Sequence, residues 1–312
     1  VTIETRLRSI IIFLTFRCRV GCATCNVSAR PDAPEGLSPD WITQFIQQLS
    51  PAIHPRYIIW TGGEPFMAFN TLATGIRMAG DRGFESEVLT GGDWFARAPE
   101  YLEQLSESGP FRLRISLDAE HQRTVTMDTI HLLIDTALEK RIPIGFTLRD
   151  IPGIEPSPRT LRETVLQRHP MLENLSMGSS RLFHVIPTIP PSPAGPAADG
   201  IANTKSVGSI TDPGPCRLGF RDLVIGPDGR VYPCCGLFGL GIDDHIHAGS
   251  ALTDLPASPD ILRNANPLFP SLLHGGAVIL AKKHGWKPET DLGTGYVSPC
   301  HACRSMLPFL IN

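Results

Sequence analysis

Between residue 9 and about residue 187, short apolar runs alternate with stretches of helical periodicity. The runs Ser9–Leu14, Arg56–Trp60, Glu85–Leu89, Arg112–Leu117, Ile144–Leu148 and Leu182–Ile186 read as strands. The clearest helix between them starts at Ser38, a good N-cap, with Pro39 at the first helical position. Its apolar residues Ile42, Phe45, Ile46 and Leu49 fall on one face at i, i+3, i+4 and i+7. Another helix is expected from about Thr126 to Lys140. Six strand-then-helix units predict an α/β fold with a parallel sheet and helices packed outside it. The pattern alone leaves open whether the sheet is open or closed.

The pattern changes after residue 187. Pro187, Pro190, Pro191, Pro193, Pro196, Pro213 and Pro215 lie among Gly, Ser and Ala residues, which reads as an irregular connection. Beyond it, Leu223–Ile225 and Arg230–Tyr232 flank Pro227-Asp228-Gly229, a hairpin signal. A helix is expected from about Ser271 to His284. The expected organisation is a domain over residues 1–187, a connection over 188–215 and a small C-terminal domain over 216–312.

Composition narrows the functional classes. The chain has 312 residues, 42% of them hydrophobic, and a formal net charge of −3. Without a basic stripe or a run of like charges, neither nucleic acid nor an anionic membrane is expected as a partner. No apolar stretch is long enough to span a bilayer, and the first residues lead straight into a strand without a signal-peptide layout. A cytoplasmic protein is expected. With seventeen residues before the first cysteine, a separate peptide-binding domain is not expected there.

Eight cysteines in a reducing compartment point to metal rather than disulfides. Cys18, Cys22 and Cys25 lie early; Cys216, Cys234, Cys235, Cys300 and Cys303 lie after residue 215, which suggests two separate sites. The first three have the spacing C-x3-C-x2-C directly after the first strand. Such a loop can ligate three irons of a four-iron cluster and leave the fourth open to substrate or cofactor. Structural zinc is the alternative, but it normally takes four ligands. The second strand runs into Thr61-Gly62-Gly63-Glu64-Pro65. Ligand-binding loops of parallel βα folds gather at this end of the sheet, and glycines let backbone approach a ligand closely.

The cysteine loop followed by this glycine-glutamate loop resembles the radical S-adenosylmethionine superfamily. The resemblance implies a partial (β/α)6 barrel with a small C-terminal α+β iron–sulfur domain. It implies that Cys18, Cys22 and Cys25 hold a [4Fe-4S] cluster and that Gly62, Gly63 and Glu64 bind the amino end of S-adenosyl-L-methionine. Ser116 and Asp118, at the end of the fourth strand, fall where that family contacts the cofactor's ribose or carboxylate, although they also suit an ordinary strand-end turn. Arg149 suits the carboxylate or a plain surface charge. One departure concerns the adenine: the family often has an aromatic residue before the third cysteine, and this chain has Thr24.

Cys216, Cys234, Cys300 and Cys303 provide four more thiolates in the spacing C-x17-C and C-x2-C. They suit a structural zinc. They also resemble the twitch form of the SPASM auxiliary-cluster domain, which implies a second [4Fe-4S] cluster. Cys235 is then left over. Neighbouring strand residues point to opposite faces, so Cys235 should turn away from whatever Cys234 faces. It is either an inert buried thiol or a redox-active group beside the substrate.

The order Cys216, Asp228-Gly229, Tyr232-Pro233-Cys234-Cys235 and Cys300-x2-Cys303 resembles the epipeptide epimerases, as do the Leu89–Phe95 stretch and Asp118 with His121. That resemblance implies hydrogen abstraction by the 5'-deoxyadenosyl radical and hydrogen-atom return from Cys235, converting an L-residue of a ribosomal peptide to the D-form. Asp222 falls where such enzymes carry an acidic residue near the auxiliary cluster; it is a candidate oxygen ligand or an ordinary carboxylate. Other readings are a dehydrogenase or epimerase of an aminocyclitol or amino sugar, a peptide cross-linking enzyme, and a non-catalytic electron carrier or zinc module. Expected partners are a peptide or small natural-product substrate and a reductase or flavodoxin-like electron donor.

Overall fold

Capping and register account for the way the chain divides. The computed structural model describes residues 7–23, 25–150, 154–174, 182–187, 221–234, 246–255, 258–285 and 303. Its strands are β1 (Ile10–Phe13), β2 (Tyr57–Thr61), β3 (Glu85–Thr90), β4 (Arg112–Ser116), β5 (Ile144–Asp150), β6 (Phe183–Pro187), β7 (Leu223–Ile225) and β8 (Val231–Tyr232). The helices are α1 (Pro39–Gln48), α2 (Phe69–Asp81), α3 (Glu100–Ser108), α4 (Met127–Glu139), α5 (Pro158–Arg168), α6 (Pro259–Asn264) and α7 (Leu268–Lys283). The Ser38 hydroxyl accepts from the Trp41 amide at the start of α1, and the Thr126 hydroxyl does the same for Thr129 in α4. Both helices begin where the sequence predicts.

All eight strands form one sheet in the order β6-β5-β4-β3-β2-β1-β7-β8. Every neighbouring pair is parallel except β7 with β8. The architecture is therefore the expected parallel α/β sheet with helices. Register partners share a face. Ile10, Ile12, Ile58, Trp60, Val88, Leu113, Ile115 and Phe146 are buried on the helix side. Trp60 fixes how close α2 lies, because a methyl at Gly75 would be 2.5 Å from its ring. The opposite face carries Glu85, Glu87, Arg112, Arg114 and Ser116. Arg114 donates to both oxygens of Glu87 at 2.9 and 3.2 Å, and both side chains are buried.

The predicted hairpin is present but adds to the same sheet, with β7 in register against β1. Its turn residue Gly229 packs on Trp41 of α1. The late helix α7 begins three residues before the expected Ser271 and breaks at Gly276. Its Leu272, Ala277, Val278, Leu280 and Ala281 join Phe13, Val224 and Tyr232 in an apolar cluster separate from the main core. Among the described residues, no helix is long and apolar enough to cross a membrane.

Candidate active site at the carboxyl ends of the strands

The cysteine loop leaves β1 and is closed by its own backbone. The Cys18 amide donates to the Arg30 carbonyl at 3.1 Å, and the Arg30 amide donates to Phe16 at 3.1 Å. Within the loop, the Cys25 amide donates to the Cys22 carbonyl, and Gly21 takes a positive φ of 69°. The loop after β2 is joined to its base. Gly63 donates to the Thr15 carbonyl at 2.7 Å, and Glu64 donates to the Arg17 carbonyl at 2.8 Å. Contact this close requires glycine: a methyl at Gly62 would sit 2.3 Å from the Thr15 oxygen, and one at Gly63 2.4 Å from the Arg17 oxygen. The two loops singled out from the sequence are thus one backbone unit.

Burial raises Cys18 to about 12, with Glu64, Asp93 and Cys25 adding negative charge nearby. Burial also raises Cys22 well above the ordinary thiol range, followed by the charges of Asp118 and Cys25. Thiolates in this setting need positive charge beside them, which iron would supply. Among the described residues, no three His, Cys, Asp or Glu side chains converge on a point suited to a single metal ion. Structural zinc normally takes four ligands, whereas this loop supplies three. The donor set and its spacing fit the cluster better.

Glu64 is fully buried and anchors the site. Its Oε1 accepts from the Phe66 amide at 3.2 Å and the Thr90 hydroxyl at 2.8 Å, and its Oε2 from the Gly91 amide at 2.9 Å. Burial nonetheless lifts its pKa from 4.5 to about 8, with the charge of Asp93 adding to the effect. Thr90 also accepts from the Gly92 amide and from the Trp94 indole N–H, at 3.0 and 2.9 Å. Thr90 and Asp93 fall in the Leu89–Phe95 stretch singled out from the sequence, but neither was assigned a role there. The signal was there: β2 and β3 both run into Thr-Gly-Gly, at 61–63 and 90–92.

At the end of β4, Asp118 is buried and surrounded by donors. Its Oδ1 accepts from the Glu120 and His121 amides and lies 2.9 Å from His121 Nδ1; Oδ2 lies 3.7 Å from Arg149 Nε. Burial pushes Asp118 upward, but His121 and Arg149 outweigh it and hold the carboxyl below its usual range. His121 also stands 3.8 Å from the Cys22 sulfur. Asp118, His121, Arg149 and Cys22 are therefore one contact group. Ser116 closes β4 in register with Thr147 of β5.

Asp222 lies at the other end of the sheet from the cysteine loop, where its Oδ1 accepts from the Ser9 hydroxyl at 2.6 Å. Asp222 directly precedes β7 and Cys234 lies two residues after β8, whose Tyr232 pairs with Val224. Cys25, Cys234 and Cys303 all border the apolar cluster under α7. Cys216, Cys235, Cys300 and Thr24 lie outside the described residues, as does the connection over 188–215.

Residues 12–150 match the model of the Radical SAM superfamily. The chain is 23% identical over 233 residues to the peptide biosynthesis protein YydG of Bacillus subtilis (strain 168), covering 73% of this chain and 69% of that one. The solved structure of polyhistidine-tagged anSMEcpe with bound AdoMet superposes with a TM-score of 0.57 at 13% identity, covering 97% of this chain and 93% of that one. Native anSMEcpe with bound AdoMet and Cp18Cys peptide gives 0.54 at 14%, over 84% and 81%.

Proposed function

We propose that this chain, a radical SAM enzyme whose residues 12–150 form the radical SAM domain, is an epimerase that inverts a residue of a ribosomal peptide. The observation that carries the cofactor assignment is the single backbone unit made by the cysteine loop and Gly62-Gly63-Glu64. Bound there, a [4Fe-4S] cluster and S-adenosylmethionine supply the adenosyl radical that removes a hydrogen atom from carbon. Cys18, Cys22 and Cys25 hold the iron. Gly62 and Gly63 keep the backbone of the second loop against the first, and Glu64 fixes that loop to β3. Asp118 orients His121 and Arg149 beside Cys22.

The peptide substrate is supported by the name of the Bacillus subtilis relative. The epimerase assignment rests on Cys235. Its S–H hydrogen passes to the substrate carbon from the face opposite the abstraction, which inverts the centre and leaves a sulfur radical. One electron and one solvent proton restore the thiol. A reductase or flavodoxin-like protein is the source of the electron. Cys216, Cys234, Cys300 and Cys303, with Asp222 as a candidate oxygen ligand, would hold a second cluster, which would supply one-electron chemistry near that thiol. The packing of Cys234 and Cys303 on the same apolar cluster supports that assignment.

Turnover in heavy water tests the proposal. The epimerase places one deuterium on the inverted carbon, and Cys235→Ala stops inversion while S-adenosylmethionine is still cleaved. An oxidised or cross-linked product from Cys235→Ala at undiminished rate would instead assign a dehydrogenase or cross-linking enzyme. Lack of iron and sulfide in anaerobically purified protein would remove every radical reading.

A further inference from the structure

Three loops meet beside the cluster cysteines. The Thr124 hydroxyl, after β4, donates to the Val20 carbonyl of the cysteine loop at 3.2 Å. A methyl at Gly91, after β3, would stand 3.4 Å from the Val20 side chain and 3.1 Å from the His121 ring. Each loop carries an arginine near this junction. Arg19 precedes Val20, Arg123 precedes Thr124, and the Arg97 amide donates to Trp94 in the turn that follows Gly92. The three are far apart in the chain, so no run of like charge announces them.

Their charge reaches solvent. Arg19 is exposed and pairs with no carboxylate among the described residues. Arg97 and Arg123 are 49% and 64% exposed, whereas their partners Asp93 and Glu120 are only 2% and 3% exposed. Each of these ion pairs therefore shows water its guanidinium and hides its carboxylate. At the base of the loop, by contrast, Arg17 and Arg30 are matched by the exposed Glu35 and Asp32. The exposed Glu100 and Asp128 sit in the first turns of α3 and α4, where the helix ends offset their charge. The cysteine loop is also thin here. Gly21 has no atom within 4 Å of the place a side chain would begin, and Cys22 follows it directly.

We propose that the exposed guanidinium rim of Arg19, Arg97 and Arg123 is the docking surface for the protein that reduces the enzyme, a small acidic one-electron carrier of the flavodoxin class. This inference rests on the radical SAM reading and deepens it by tying the electron donor to named residues. One electron leaves the carrier, which is oxidised, and enters the iron held by Cys18, Cys22 and Cys25, which is reduced. No bond is made or broken and no proton moves. Opposite charge steers the carrier to the rim, and the bare backbone at Gly21 lets it approach Cys22 with no side chain between them.

The test uses anaerobic, cluster-reconstituted protein and a reduced bacterial flavodoxin. Two quantities are read: the rate of cluster bleaching by the reduced flavodoxin, and the affinity for the oxidised flavodoxin by calorimetry. Arg19→Glu and Arg123→Glu are each expected to lower both by roughly 10- to 100-fold at low salt. Arg19→Gln, a smaller change of charge, is expected to show a smaller loss. Near 1 M salt, where the screening length is about 3 Å, the variants and the unaltered protein should converge. Arg159→Glu, on the 87% exposed Arg159 of α5, is the control and should change neither quantity. Unchanged rate and affinity in the Arg19 and Arg123 variants overturn the inference and leave the rim to an acidic segment of the peptide substrate. A loss that persists in high salt, or an equal loss in Arg159→Glu, also overturns it. Failure of excess dithionite to reduce the unaltered, iron-loaded protein overturns the radical SAM reading itself.

Discussion

Replacing Gly63 with alanine tests the idea that the two loops act as one unit. The new methyl would stand 2.4 Å from the Arg17 carbonyl oxygen, and ordinary contact begins near 3.4 Å. The two loops must therefore part by about 1 Å. Two hydrogen bonds cross this junction at 2.7 and 2.8 Å, and neither survives such a displacement within hydrogen-bonding range. At about 1 kcal/mol each, with a further penalty for buried groups left unpaired, the loss is roughly 2–4 kcal/mol. That is a large share of a domain's usual stability. Gly75→Ala is the control. Its methyl would meet the Trp60 ring at 2.5 Å, a comparable clash on the helix side. Both variants should lose stability in urea unfolding of the iron-free chain. Only Gly63→Ala should also lose cluster occupancy, read as iron and sulfide per chain after reconstitution. Full iron content in Gly63→Ala, or equal iron loss in Gly75→Ala, refutes the reasoning.

Two further perturbations probe the framework. His131 and His169 are buried with facing ring nitrogens 2.9 Å apart, and burial, the larger cause, lowers both pKa values. Below the ordinary histidine value of about 6.5 the unfolded chain binds more protons than the folded one, so stability falls as pH drops, by up to about 1.4 kcal/mol per pH unit for each histidine. Urea midpoints between pH 7 and 5 should fall less steeply in His169→Gln, and an unchanged slope would exclude the pair as the cause. Arg114→Met leaves the Glu87 carboxylate buried and unpaired and should cost about 3–5 kcal/mol. The double variant Arg114→Met with Glu87→Leu should recover most of that loss in thermal unfolding; no recovery would show that the charges, not their pairing, stabilise the sheet.

Much of this architecture was legible in the sequence because its signals are local. Ser38-Pro39 marks the start of α1, apolar runs mark six parallel strands, and the cysteine spacing marks the loop after β1. What lay beyond local signals was long-range. Pattern alone cannot show that the β7–β8 hairpin joins β1, because that pairing is set by edge hydrogen bonds across some 200 residues. Nor does the glutamate in a Gly-Gly-Glu loop reveal that its carboxylate turns to Thr90 and Gly91 of another loop. Asp118 was expected as a cofactor contact; its position at the end of β4 followed from the pattern, but its enclosure by two amides and His121 did not.

The pairing of β1 with β7 also bears on the order in which the chain matures. The strand that carries the first three thiols gains its partner on one side from β2 early, but the other edge waits for Leu223. About 210 residues separate the two, which at ordinary ribosomal speed is roughly 10–40 s of synthesis. Through that interval β1 remains an open edge, a template for wrong strand pairing as well as for the right one. Iron delivered to a nascent chain would meet a half-framed loop, whereas iron delivered after release would meet the finished sheet.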